Sequence, residues 1–135
     1  VKLRVISSKK EIDTLNPKEK LIHLAYHASN ADYLDLMKKC PRLRMIQVLP
    51  SYHNTMSDAI QMFMDLQGID VLEGDVHGYR KDMDEYFAID DITMKEIAGL
   101  ADGGASMEDL TLQIQEKVML DSDIIKYIAK TRITA

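Results

Sequence analysis

The chain has one cysteine, no tryptophan, two phenylalanines and three prolines among its 135 residues. A single cysteine, Cys40, cannot close an internal disulfide, form a CxxC redox pair or supply a cysteine-rich zinc site. A reducing compartment, the cytoplasm, is the simplest expectation. No apolar run approaches the roughly 20 residues that span a bilayer. The opening Val1–Ile6 lacks the long apolar core of a secretion signal and reads as a strand. Positive charge is also scarce. Seventeen Lys and Arg face 22 Asp and Glu, a net charge of −5, which opposes non-specific attraction to nucleic acid or an anionic membrane.

Several chemistries are missing as well. There is no G-x-G-x-x-G after a strand, no G-x-x-x-x-G-K-[ST] and no H-E-x-x-H. Gly104-Ala105-Ser106-Met107-Glu108 lacks the second glycine of a nucleophile elbow and reads as a helix boundary. These gaps weaken the common nucleotide-binding and hydrolase assignments. A hydrophobic share of 46% against 29% charged residues still describes a globular chain of one domain's length.

Four short apolar runs recur at similar intervals: Leu3 to Ile6, Leu21 to Tyr26, Arg44 to Leu49 and Ile69 to Leu72. Polar residues and then a helical pattern follow each of the four. Near-continuous apolar strands alternating with helices predict a parallel sheet covered on both faces. Tyr86 to Ile89 is a candidate fifth strand. Ser8 with Glu11, and Thr55 with Asp58, have the spacing of capping boxes, and Asn30 is a candidate cap for a helix reaching Lys39. Beyond Asp90 the pattern turns helical. Thr93 with Glu96 opens one helix, Gly103-Gly104 ends it, Ser106 opens a second, and Ile124, Ile125 and Ile128 mark a third.

The expected fold is therefore a three-layer, flavodoxin-like α/β parallel sheet of four or five strands with a three-helix C-terminal extension. Residues 1–89 form the sheet region, and residues 90–135 pack onto it as part of one domain. In open parallel sheets, ligands bind beyond the carboxyl ends of the strands. That rule selects His27, Ser29 and Asn30, then Ser51, His53 and Asn54, then Asp75, His77 and Arg80. Two chemistries suit these residues. His27, His53 and His77, with Asp75, are a donor set for zinc or iron, although their spacing matches no ligand motif. Serine, asparagine and backbone N–H donors with Arg80 suit a small anionic metabolite. The histidines also suit general acid–base catalysis. Polar loop residues that cap helices are the bland alternative to each. His23, inside the second apolar run, reads as a buried, hydrogen-bonded residue, and Cys40 reads as structural.

The segment ADYLDLMKKCPRLRMIQV resembles the helix-then-strand unit in the catalytic domain of D-2-hydroxyacid dehydrogenases, a flavodoxin-like domain; the resemblance implies fold and no activity. LIHLAYHASNADYLDLMKKCPRLRMIQVLPSYHNTMSDAIQMF and ITMKEIAGLADGGASMEDL resemble a family of small archaeal proteins of unknown function, which implies a cytosolic protein and no activity. IAGLADGGASMEDLTLQI is similar to the first two helices of a helix-turn-helix. Residues 90–135 carry nine acids against five bases, however, and only Lys126, Lys130 and Arg132 form a basic edge, so DNA is an unfavoured partner. Packing on the sheet or a homo-oligomer interface is the other reading of these helices. No cofactor is indicated.

Overall fold

The computed structural model describes residues 1–81 and 84–133. Five strands form one sheet: β1 Lys2–Ile6, β2 Leu21–Leu24, β3 Met45–Val48, β4 Asp70–Glu73 and β5 Tyr86–Ala88. A 3-10 helix, Lys9–Thr14, follows β1. The α-helices are α1 Asn30–Lys39, α2 Pro50–Asn54, α3 Asp58–Leu66, α4 Asp91–Asp102, α5 Met107–Gln115 and α6 Ser122–Thr131.

The sheet order is β4-β3-β2-β1-β5. Strands β1 to β4 pair in parallel and β5 runs antiparallel to β1. The expected parallel α/β sheet is present, but its order is not the 2-1-3-4-5 of a flavodoxin-like fold. Consecutive strands are simply neighbours, so the order of the parallel strands never reverses. The intervening helices then share one face. Ile12, Tyr33, Leu36, Ile60 and Met64 pack there with Ile6, Ile22, Leu24, Ile46 and Val48 from the strands.

Strand side chains alternate between faces, so Leu3, Leu21 and Met45 point the other way. They join a second core with Ile97 of α4, Leu110 and Ile114 of α5, and Ile124, Ile125 and Ile128 of α6. The apolar stripes of α4–α6 are thus consumed in covering the face that the crossovers leave bare. Among the described residues, no helix is long and apolar enough to cross a membrane.

Several caps differ from expectation. Ser29, not Asn30, caps α1: its hydroxyl accepts from Asp32 N–H while Asp32 accepts from Ser29 N–H. Ser57 caps α3, accepting from Ile60 N–H, whereas Thr55 donates to the Tyr52 carbonyl. Asp90 caps α4, accepting from Thr93 N–H, so Thr93 lies inside the helix. Ser8 makes no cap bond, and Glu11 accepts from Ser7 N–H instead. Competing Ser, Thr, Asn and Asp residues within a few positions all satisfy the same spacing rule. Only the backbone path decides between them. Ser106 caps α5 as read.

Candidate functional site

Two polar residues buried in the sheet lie side by side. His23 of β2 is in register with Gln47 of β3, and the two are 0% and 1% exposed. Both share a strand phase with Leu21 and Met45, on the face covered by α4–α6. His23 Nδ1 lies 2.8 Å from Gln47 Oε1. With the amide oxygen facing the ring, Nδ1 donates the proton and Nε2 keeps its lone pair. Among the described residues, Nε2 is buried with no hydrogen-bond partner. Its nearest charged neighbour is Asp75 Oδ1 at 3.7 Å, beyond hydrogen-bond reach.

Burial is the largest influence on His23 and pushes its pKa below the ordinary 6.5; Gln47, Asp75 and Asp121 act in the opposite direction. The folded protein therefore holds His23 neutral where the unfolded chain takes up a proton. The resulting stabilisation is present above pH 6.5 and is lost as pH falls from there through the lower, folded pKa, at no more than about 1.4 kcal/mol per pH unit. Urea titrations of wild type and His23→Gln between pH 7.5 and 5 check this. The variant should lack that part of the slope, and parallel curves would remove His23 as its source.

The carboxyl end of β4 brings the rest of the cluster. Gly74 packs so closely that a Cβ there would stand 2.6 Å from Gln47 Nε2 and 2.9 Å from Asp121 Oδ2. Asp121 occupies the N-cap position of α6 without capping it. Its carboxylate instead accepts from Asp75 N–H at 2.6 Å and lies 3.1 Å from His77 Nε2. Asp123, in the first turn of α6, accepts from Glu73 N–H at 3.0 Å. Glu73 in turn holds His53 Nδ1 at 2.7 Å. The start of α6 is thus tied to the end of β4 by two aspartates across the sheet edge.

The residues selected from the sequence divide among several places. Asp75 and His77 belong to the cluster around His23 and Asp121. His53 stands beside it through Glu73. His27 lies apart: its Nε2 is 2.9 Å from Thr55 Oγ1 and its ring stacks on Tyr52 at 5.2 Å between centroids. Ser29 is engaged in capping α1. Asn30, Ser51 and Asn54 are exposed on α1 and α2. Arg80 is exposed and lines a separate hollow with Tyr79, Asp84 and Tyr86. Each of His27, His53 and His77 has a different partner. Among the described residues, no group of three or more His, Cys, Asp or Glu is arranged to hold a metal ion.

Cys40 is buried, its thiol faces the Asn16 carbonyl at 3.6 Å, and burial pushes its pKa up to about 11, so it is held as an unreactive thiol. Gln47, Gly74, Asp121 and Asp123 carry functional geometry that the loop-based selection misses. Gln47 has a visible signal: it is a lone polar residue in an apolar strand, opposite a lone histidine in the preceding one. Asp121 and Asp123 have none, because nothing local places α6 against β4.

Residues 2–85 match the N-terminal domain of a family of unknown function, DUF1699. The chain belongs to this family. No curated protein and no solved structure matches it. The matched segment of the DUF1699 protein contains His23, Gln47 and the Glu73–His77 stretch, while Asp121 and Asp123 lie beyond it. Membership brings no activity with it, so the chemistry of this DUF1699 protein rests on its own residues.

Proposed function

We propose that this protein binds a small polar ligand at the carboxyl ends of β2, β3 and β4, with His23 Nε2 as a principal contact. The observation that carries the reading is that Nε2 is buried without a partner. An unsatisfied buried polar atom costs about 1–3 kcal/mol, and such groups in folded proteins call for a reason. A ligand hydrogen bond supplies one. The surroundings support it: Gln47 fixes the ring, and Asp75, whose Oδ1 lies 3.7 Å from Nε2, has a side chain 56% exposed.

The test is a thermal-melting screen against a metabolite panel, on wild type and His23→Gln. A ligand specific to the folded state stabilises by about 2.7 kcal/mol at one hundred times its Kd. The expected result is a compound that raises the wild-type melting temperature and leaves the variant unmoved. Equal shifts in both proteins would place binding elsewhere.

A second reading, acid–base catalysis at the same edge, is favoured by one geometry. Glu73 holds His53 through Nδ1 and leaves Nε2 on a side chain 26% exposed, the arrangement of a base positioned by a carboxylate. DNA recognition draws less support. The apolar faces of α4–α6 are buried on the sheet, and Arg132 of the basic edge is paired with Asp102 at 2.8 Å.

A further inference from the structure

We propose that the ligand of the β2–β4 edge is a small cation rich in N–H donors, an amidinium, guanidinium or ammonium group seated between His23 Nε2 and the Asp75 carboxylate. This deepens the ligand-binding reading and rests on it.

Three observations carry the choice of sign and donor type. First, His23 Nε2 and the Asp75 carboxylate are both acceptors. Gln47 takes the Nδ1 proton of His23, which leaves a lone pair on Nε2, and Asp75 is a carboxylate. An anion or carbonyl oxygen meets no donor there, whereas an N–H group satisfies both. Second, the edge is negative. Glu73, Asp75, Asp121 and Asp123 gather at it, and none is paired with a lysine or arginine among the described residues; the ion pairs are with His23, His53 and His77. Asp75 and Asp121 are the charges that favour a proton on the His23 ring. Third, the carboxylates are not equally occupied. Asp121 and Asp123 accept from backbone N–H groups of Asp75 and Glu73, and Glu73 holds His53. Among the described residues, the Asp75 carboxylate accepts one hydrogen bond, on Oδ1 from Val76 N–H at 2.7 Å, which leaves Oδ2 for a ligand.

The 3.7 Å between Nε2 and Asp75 Oδ1 is too long for a direct bond and short enough for one donor group to reach both. Planar amidinium and guanidinium groups present neighbouring N–H bonds in the fork that carboxylates accept best. A divalent metal is the other cation the charge admits, but the absence of a third converging ligand among the described residues disfavours it. His77 and Asp121 already satisfy one another.

The test uses three near-isosteric probes that differ in charge and in N–H donors: benzamidine, benzamide and benzoate. Each is titrated into the full chain labelled with nitrogen-15, following the His23 imidazole nitrogens and the Gly74 and Asp75 amides. Benzamidine is expected to move the Nε2 signal and to bind at least about tenfold tighter than benzamide, the margin of a charge-assisted over a neutral hydrogen bond. Benzoate is expected to leave the edge untouched. Asp75→Asn, an exposed substitution, should keep the fold and erase the tenfold preference. Benzamide or benzoate binding equally well would overturn the cation class and leave the edge as a ligand site. Zinc or manganese chloride moving these signals and excluding benzamidine would overturn the N–H donor class in favour of a metal. Silence at His23 with every probe would overturn both the cation class and the ligand-binding reading.

Discussion

Replacing Gly74 with alanine is expected to destabilise the protein by about 1–3 kcal/mol, the usual cost of forcing an atom into a packed site. It should also dismantle the edge cluster. The added Cβ would meet Gln47 Nε2 at 2.6 Å and Asp121 Oδ2 and Cβ at 2.9 and 3.1 Å. Gln47 is pinned in a central strand by its bond to His23, and Asp121 is pinned by Asp75 and His77. Neither is a loose surface chain end that can step aside cheaply. Whichever yields, a bond that organises the cluster is lost. Urea denaturation gives the energy, and the His23 imidazole nitrogen signals report which bond broke. The Gly74→Ala, Gln47→Ala double variant should regain part of the loss, because removing Gln47 opens the tighter contact. Strict additivity of the two substitutions would mean that the steric account is wrong.

The other large effect is expected at Ile125. It is 0% exposed and belongs to the core that joins α4–α6 to Leu3, Leu21 and Met45 of the sheet. Ile125→Ala should cost about 2–5 kcal/mol, the range for emptying a well-packed aliphatic site. The same core holds residues from both the strands and the helices, so the loss should shift one cooperative transition rather than melt the helices alone. Far-ultraviolet circular dichroism against urea, compared with the exchange protection of β2 and β3 amides, separates the cases. If α4–α6 unfold while Leu21–Leu24 stays protected, the two layers are energetically independent.

The sequence made the strands legible and hid their arrangement. Leu3 to Ile6, Leu21 to Tyr26, Arg44 to Leu49 and Ile69 to Leu72 each overlap an observed strand within two residues at either end, because apolar runs bounded by turn residues encode burial on both faces. The fifth run is also a strand, but nothing in Tyr86–Ala88 says that it lies antiparallel beside β1. The order of neighbours is likewise not a local property, and the flavodoxin-like expectation failed there.

For the site, the strand-end rule reached Asp75 and His77. It also selected His27, Ser29, Asn30, Ser51 and Asn54, which lie in stacking, capping or exposed positions outside the His23–Asp121 cluster. The rule anticipates a crevice where crossovers pass to opposite faces. In this sheet the crossovers stay on one face, and the edge is completed by α6 arriving from the other. His23 was legible as buried and hydrogen-bonded. Its unsatisfied Nε2 was not, because that depends on what lies above it.

The neighbour-by-neighbour strand order bears on how the chain is made. Emerging from a ribosome, the first four strands and their connecting helices can assemble on one another in sequence, with contacts that are short in chain separation and quickly closed. What they assemble is a half-sandwich. Leu3, Leu21 and Met45 face solvent until α4–α6, encoded after them, are released and fold across them. A nascent chain stalled near residue 85, where the family match ends, carries an ordered sheet with an open greasy side and a bare β1 edge awaiting β5. Such surfaces are the ones that aggregate or recruit chaperones. The vulnerable moment of this protein's life therefore falls between the synthesis of its candidate histidine and the synthesis of the aspartates that meet it.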